Sequence, residues 1–375
     1  MTYDHNLDDY AWYEVGNQRY YNKIEALFAH QTSRQPLRWN VTDFEYSQHK
    51  WDIEPQLDLE TLYARRAQDI RERYDYLVLH FSGGSDSANV IETFIRNKIH
   101  LDEVLIRGSM SQADQKTGVL TAIDQYGECM TQSLPLANWI KANHMPHLRI
   151  TVVDTVSMIN DFYRNNPDWI EQSVTGLTPS NYVKSNLDIL APHYKQLADQ
   201  GKRVAHIFGV DKPKIFRHKN YFYTKFLDVH LGEWASVRFN TSVHPQYIEL
   251  FYWGKRAIEL QIKQLHKIKQ HIKANAIPDF VFDHTRGRAF ENYIASVVYN
   301  RTLPLLSEHL KDDTKLLVAG RDLWFTKDLN SDSFNNWKKG ADYLRVLIDP
   351  VWHHSDGFWQ SGINGIWSKP YYLGT

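Results

Sequence analysis

The residues best suited to chemistry in this chain lie in one run, Ser82-Gly83-Gly84-Ser85-Asp86-Ser87, directly after the apolar stretch Tyr76–Phe81. The run leads into a segment in which Val90, Ile91, Phe94 and Ile95 form one apolar stripe at helical spacing. A strand that turns sharply into a helix points free backbone N–H groups, and the positive end of the helix dipole, at one spot. Two adjacent glycines let the backbone approach an anion with no Cβ in the way and tolerate positive φ. Ser82, Ser85 and Ser87 add hydroxyl donors. The chemistry indicated is capture of a phosphate. Asp86 would repel a bare phosphate, and it fits best as a ligand that holds Mg²⁺ between protein and nucleotide. Neither G-x-x-x-x-G-K-[ST] nor G-x-G-x-x-G occurs in the chain, which sets aside the two commonest glycine-rich phosphate loops.

Such a loop works only if a sheet holds it in place. Four runs read as strands buried on both faces: Tyr76–Phe81, Asp102–Arg107, Leu148–Val153 and Arg203–Phe208. Each is short, rich in Val, Ile, Leu and Phe, and bounded by Gly, Asp or Ser. Continuous apolar runs, rather than alternating ones, predict a parallel sheet. Helical patterns lie between them, including Leu134–Ala142 with Pro135 in its first turn. The α/β class with a doubly wound parallel sheet follows. A charged helix over Leu59–Tyr74 leads into the first strand, and His244–Lys273 contains a long amphipathic helix. The expected organisation is an aromatic-rich N-terminal segment with a lead-in helix (1–70), a core (71–235) and a mostly helical C-terminal region (236–375).

Composition excludes several classes. The 375 residues, at roughly 150 per domain, suit two to three domains. With 42% hydrophobic and 23% charged residues the chain reads as globular, and its net charge of −1 lacks the bulk positive field of a nucleic-acid coat. The single cysteine, Cys129, allows neither an internal disulfide nor a four-Cys zinc ribbon. No run approaches a membrane span, and residues 1–30 carry acids where a secretory signal would be apolar. The expectation is a soluble, cytoplasmic protein with no membrane partner. The 12 Trp and 22 Tyr concentrate toward the two ends and read as packing. His144, His147, His266, His271, His353 and His354 lack zinc-helix spacing, whereas His80, at the end of the first strand, suits packing and nucleotide contact equally.

The SGGSDS run resembles the SGGxDS loop of the PP-loop, or N-type, ATP pyrophosphatases. That superfamily includes asparagine synthetase, NAD synthetase and tRNA-lysidine synthetase, and the motif match itself covers Ser82–Ser87. The resemblance implies a HUP-type, Rossmann-like sheet with ATP at its carboxyl edge and cleavage to AMP and pyrophosphate. A substrate oxygen would be adenylated and then displaced by a nitrogen or sulfur nucleophile. Phe81 through Ser87 would cradle the nucleotide, and the end of the second strand, Arg107 and Gly108, would meet adenine. The later loop IFGVDKPK implies Gly209 for close approach, Asp211 as a second Mg²⁺ ligand, and Lys212 or Lys214 for charge on the leaving pyrophosphate. Asp86 and Lys212 are thus the catalytic candidates. Asp154 is a further candidate that helix capping explains equally well.

Missing residues narrow the class. Thr2 stands where a glutaminase would need cysteine, and one thiol cannot serve a thiolase, a four-Cys nitrile synthase or a C-terminal-Cys reductase. The reading that survives is an AMP-forming C–N ligase resembling the synthetase domain of asparagine synthetase. It would use ATP and Mg²⁺, a small-molecule acceptor, and a nitrogen donor supplied by a separate protein if need be. Two readings stay open beside it: an RNA-modifying ligase of the lysidine-synthetase type, and a non-catalytic nucleotide sensor. The first draws on Lys212–Lys225, where basic residues alternate with Phe216, Tyr221, Phe222 and Tyr223, a pattern able to bind single-stranded nucleic acid. A solvated hairpin is the plain account of the same residues.

Overall fold

The computed structural model describes residues 12–20, 23–40, 43–108, 129–172, 191–210, 212–226, 246–278, 294–299, 330–348, 354–355, 358–359 and 368–375. Strands β1 (Trp12–Val15), β2 (Gln18–Tyr20) and β3 (Leu37–Asn40) form a small antiparallel sheet around helix α1 (Lys23–Ser33). Helix α2 (Asp43–Ser47) and helix α3 (Leu59–Arg73) follow, the latter capped where the Asp58 carboxylate accepts from Thr61 N at 2.7 Å.

The chain then alternates strand and helix. The order is β4 (Tyr76–His80), α4 (Ser85–Arg96), β5 (Glu103–Gly108), α5 (Leu134–Asn143), β6 (Arg149–Asp154), α6 (Val156–Asn165), α7 (Pro192–Asp199) and β7 (Val204–Phe208). The four expected core strands form within a residue of their predicted limits. A hairpin of β8 (Ile215–His218) and β9 (Tyr221–Thr224) precedes β10 (Tyr247–Leu250) and the long helix α8 (Ile258–Ala274). Helix α9 (Asp332–Ile348), the short strands β11 (His354–Ser355) and β12 (Phe358–Trp359), and β13 (Tyr371–Gly374) come last.

The core is a five-stranded parallel sheet in the order β10-β7-β4-β5-β6, flanked by helices, an α/β arrangement of Rossmann-like type. Its strands carry the apolar core, with Leu77, Val78, Leu79, Val104, Ala205 and Ile207 fully buried. Strand order reverses between β4 and β7, and in open α/β sheets such a switch point opens a crevice at the strands' carboxyl ends.

The fifth strand, β10, lies past the boundary placed near 235, and the described part of 236–375 contributes strands as well as helices. The run Tyr-Ile-Glu-Leu hides as a strand because Glu249 sits in it as a buried acid. Arg66 of α3 donates to Glu249 Oε2 at 2.6 Å, and Arg73 and the Tyr74 hydroxyl bind its other oxygen. Only a complete ion-pair network lets a carboxylate occupy an apolar strand. The aromatic ends pack as expected where described. Trp51, Tyr46, Phe226 and Tyr371 form one cluster that joins the N-terminal segment, the hairpin and the last strand. Trp324, Trp352 and Trp367 lie outside the described residues.

Replacing Glu249 with Leu removes the buried one of the two carboxylates that pair with the Arg66 guanidinium, leaving only the partly exposed Asp69 at 3.0 Å. We expect a loss of about 3–5 kcal/mol, read as a lower urea midpoint, whereas a midpoint within error of the parent would show the pair to be dispensable.

Candidate functional site

Two chain segments leave the sheet at its switch point. The first is the glycine loop after β4. Phe81 is buried and its N–H donates to Leu105 O at 2.9 Å, which anchors the loop's start to β5. Gly83 takes φ +72°, and a Cβ there would lie 3.1 Å from the Ser133 nitrogen. Glycine is therefore required twice over, by conformation and by the approach of the π-helical turn Cys129–Ser133. The Ser133 hydroxyl donates to Ser82 O at 2.6 Å and ties the two together. Gly84 is the helix N-cap, with an extended φ of −73° and ψ of 164°, and its N–H donates to Ser82 Oγ at 3.2 Å. The Ser87 hydroxyl donates to Gly84 O at 3.2 Å and lies 3.4 Å from Ser82 Oγ. The first-turn N–H groups of α4 thus face a loop held by its own serines.

The second segment follows β7. Gly209 passes so near α4 that a Cβ would sit 3.0 Å from both the Asp86 carbonyl and Ser87 Cα. Beyond it Lys212, only 6% exposed, brings its ammonium to 3.3 Å from Asp86 Oδ1. Two sequence-predicted residues 126 positions apart are brought into an ion pair. Lys214 belongs to the start of the hairpin, where its carbonyl accepts from Thr224 Oγ1 at 2.6 Å. Arg107 and Gly108 end β5, with Gly108 opposite Asp154 on β6. Asp211 lies outside the described residues.

A ring of tyrosines, invisible to sequence spacing, completes the site. The Tyr299 hydroxyl donates to Asp86 Oδ1 across 213 positions. The Tyr252 hydroxyl donates to the Asp86 carbonyl at 2.9 Å and accepts from Asn89 Nδ2 at 2.9 Å. The two rings stack with centroids 5.6 Å apart, and Lys212 Nζ lies 6.0 Å from the Tyr299 centroid. Burial first, then the Asp86 charge, holds the Tyr299 hydroxyl well above its ordinary range, so it stays a neutral donor. Tyr63 buttresses this corner by donating to Val298 O at 2.8 Å.

Below the loop, His80 Nε2 and His206 Nδ1 lie 2.9 Å apart, and His206 Nε2 lies 2.7 Å from Gln246 Oε1. With the amide oxygen as acceptor, His206 carries its proton on Nε2 and His80 donates from Nε2. Burial pulls both imidazoles down, His80 well below its usual range and His206 to about 4.

Among the described residues, no group of three or more His, Cys, Asp or Glu side chains is placed to hold a metal. The Asp86 carboxylate nevertheless already accepts a cation, the Lys212 ammonium, so its donor chemistry suits one. Mg²⁺ commonly takes one or two carboxylates and fills its remaining positions with phosphate oxygens and water, so one protein carboxylate fits. No protein-family model matches the chain, and no curated protein matches it. Among the described residues no helix is long and apolar enough to cross a membrane.

The histidine pair sets an acid limit. Between pH 6.5 and about 4 the unfolded chain protonates His206 while the folded one does not, so stability is full above that window and falls with acid within it. The urea midpoint should drop from pH 7.5 to pH 5, where the His206 contribution to the loss is about 2 kcal/mol. His206→Gln should make the profile shallower, with His80 supplying the acid sensitivity that remains; a parent midpoint constant from pH 7.5 to 5 would contradict the assignment.

Proposed function

We propose that this chain is an ATP-dependent, AMP-forming ligase of the PP-loop kind, with a HUP-type core. The observation that carries the reading is that the SGGSDS loop and Lys212 meet at the sheet's switch point, with Asp86 between them. A glycine turn, a helix N-terminus and a buried lysine suit a polyphosphate far better than an uncharged ligand.

On this reading the loop amides from Gly83 to Ser87 hold the phosphate chain and fix the α-phosphorus in line with the attacking oxygen. Asp86 would hold Mg²⁺, which would supply positive charge against the phosphate chain. Lys212 shifts from the carboxylate toward the pyrophosphate as negative charge develops there. Tyr299 keeps the Asp86 carboxylate in one orientation while that exchange occurs. Arg107 and Gly108, at the end of the neighbouring strand, flank the place for the base. The acceptor is a carboxylate or amide oxygen, and an amine or ammonia then displaces AMP. No thiol takes part, in keeping with Cys129 being buried in the core.

The test is product analysis with α-labelled ATP, Mg²⁺ and a panel of carboxylic acids and amines. AMP and pyrophosphate are expected; ADP, or no ATP binding at millimolar concentration, would overturn the reading. Asp86→Asn retains an acceptor for Tyr299 but removes the carboxylate charge beside the buried Lys212 ammonium, so the melting temperature should fall by several degrees, and circular dichroism at the assay temperature establishes that the variant is folded. The substitution should lower the rate at least 10²-fold, about 3–4 kcal/mol of barrier. Lys212→Ala should slow pyrophosphate release more than it weakens ATP binding, and should tighten Mn²⁺ binding by removing the competing ammonium. Equal losses in both, with Mn²⁺ affinity unchanged, would refute its role at the leaving group.

A further inference from the structure

The three-stranded sheet β13-β9-β8 breaks the usual rule for a sheet that covers a core on one side only. Such sheets alternate apolar residues inward with polar residues outward. Here Ile215, Phe222, Thr224, Tyr371 and Leu373 point inward and are buried. The register pairs Phe216 with Tyr223, His218 with Tyr221, and Tyr223 with Tyr372, so these five rings share the outward face. Phe216 and Tyr223 stack at 5.4 Å with planes 16° apart, and Tyr221 and Tyr372 lie 5.5 Å apart. Tyr221 is 46% exposed and Tyr372 49%, far more than aromatic rings in a packed interior.

Charge on this element has one sign. Residues 212–226 and 368–375 contain six Lys or Arg and no Asp or Glu, in a chain whose net charge is −1. Lys212 is engaged at Asp86, and Lys369 lies 3.3 Å from Asp43. The Lys225 ammonium lies 4.8 Å from the Phe216 centroid, and Lys219 sits exposed in the β8–β9 turn at φ +55°. Flat rings at a sheet surface with cations at their margins suit a ligand that carries both π-faces and a row of negative charges. A duplex hides its base faces, so only an unpaired strand offers both at once.

We propose that the outward face of the β8–β9–β13 sheet binds single-stranded nucleic acid, with bases stacked on Tyr221, Tyr223 and Tyr372 and the phosphates near Lys219 and Lys225. This goes beyond the ligase reading and does not rest on it. The strand that opens this face begins three residues after Lys212, so a nucleic-acid strand bound there would run close to the glycine loop.

The experiment is fluorescence anisotropy of a labelled 12-nucleotide oligo(U) with the full chain, without ATP, at low and high KCl. Binding is expected at low salt, weakening as salt rises. Tyr221→Ala with Tyr372→Ala should weaken it at least tenfold, and Lys219→Glu severalfold. Tyr343→Ala, which removes another exposed ring on α9, should leave it unchanged. Circular dichroism of each variant establishes that it is folded. The proposal fails if the parent does not bind the oligonucleotide, if the tyrosine pair can be removed without effect, or if a duplex of equal length binds as tightly. It also fails if the two tyrosines instead hold a dimer of the chain together, which sedimentation would show.

Discussion

Everything at the site follows from one adjacency, the parallel pairing of β4 with β7. Their register sets His80 opposite Phe208, so the chain leaves both strands at the same height. The two exits then compete for the same space. Gly209 resolves the conflict: a side chain would lie 3.0 Å from the backbone of Asp86, and its absence lets the β7 exit pass against the first turn of α4. That passage brings Lys212 to Asp86. A sheet with β4 and β7 apart would leave a glycine turn with no cation beside it, and a buried lysine with no anion.

The cost of burying Lys212 explains the tyrosines around it. An ammonium removed from water requires a nearby negative charge and fixed dipoles. Asp86 supplies the charge, and the Tyr299 and Tyr252 hydroxyls bind its carboxylate and its carbonyl. These phenols come from segments separated from Asp86 by more than 160 positions, 213 for Tyr299 and 166 for Tyr252. The loop is therefore positioned by the whole chain. Tyr63, on α3, and Gln264, on α8, carry the same network outward, with Gln264 Nε2 donating to the Tyr63 hydroxyl at 2.9 Å. Loss of order in the C-terminal part would reach Asp86 directly.

This division decides what could be read from the sequence. Local signals survived: apolar runs bounded by Gly and Asp gave four of the five core strands, and the glycine loop sits where a strand must turn into a helix. The pairing of Lys212 with Asp86 was anticipated only as a shared role, because spacing along the chain carries no distance in space. The strand β10 was hidden by Glu249, an acid whose burial makes sense only once Arg66 and Arg73 are beside it. Tyr299 left no trace at all, since a lone tyrosine in an aromatic-rich chain looks like packing. Polar networks between distant elements are the part that sequence patterning does not encode.

The aromatic richness has a physical reading that unites these observations. Rings are used in three distinct ways: as filler in the Tyr46, Trp51, Phe226 and Tyr371 cluster, as buried donors at Asp86, and as an outward surface on the β8–β9–β13 sheet. In the first two uses the rings are buried, and the phenols at Asp86 donate to its carboxylate and carbonyl. In the third they are not. Tyr221 and Tyr372 leave apolar area in water, 46% and 49% exposed, where a polar β-former such as Thr would also hold the strand. Cross-strand ring pairs return roughly 0.2–1 kcal/mol each to the sheet, and recognition of a flat ligand gives the exposed rings a further use. That asymmetry, and not the number of aromatics, separates the surface from the core.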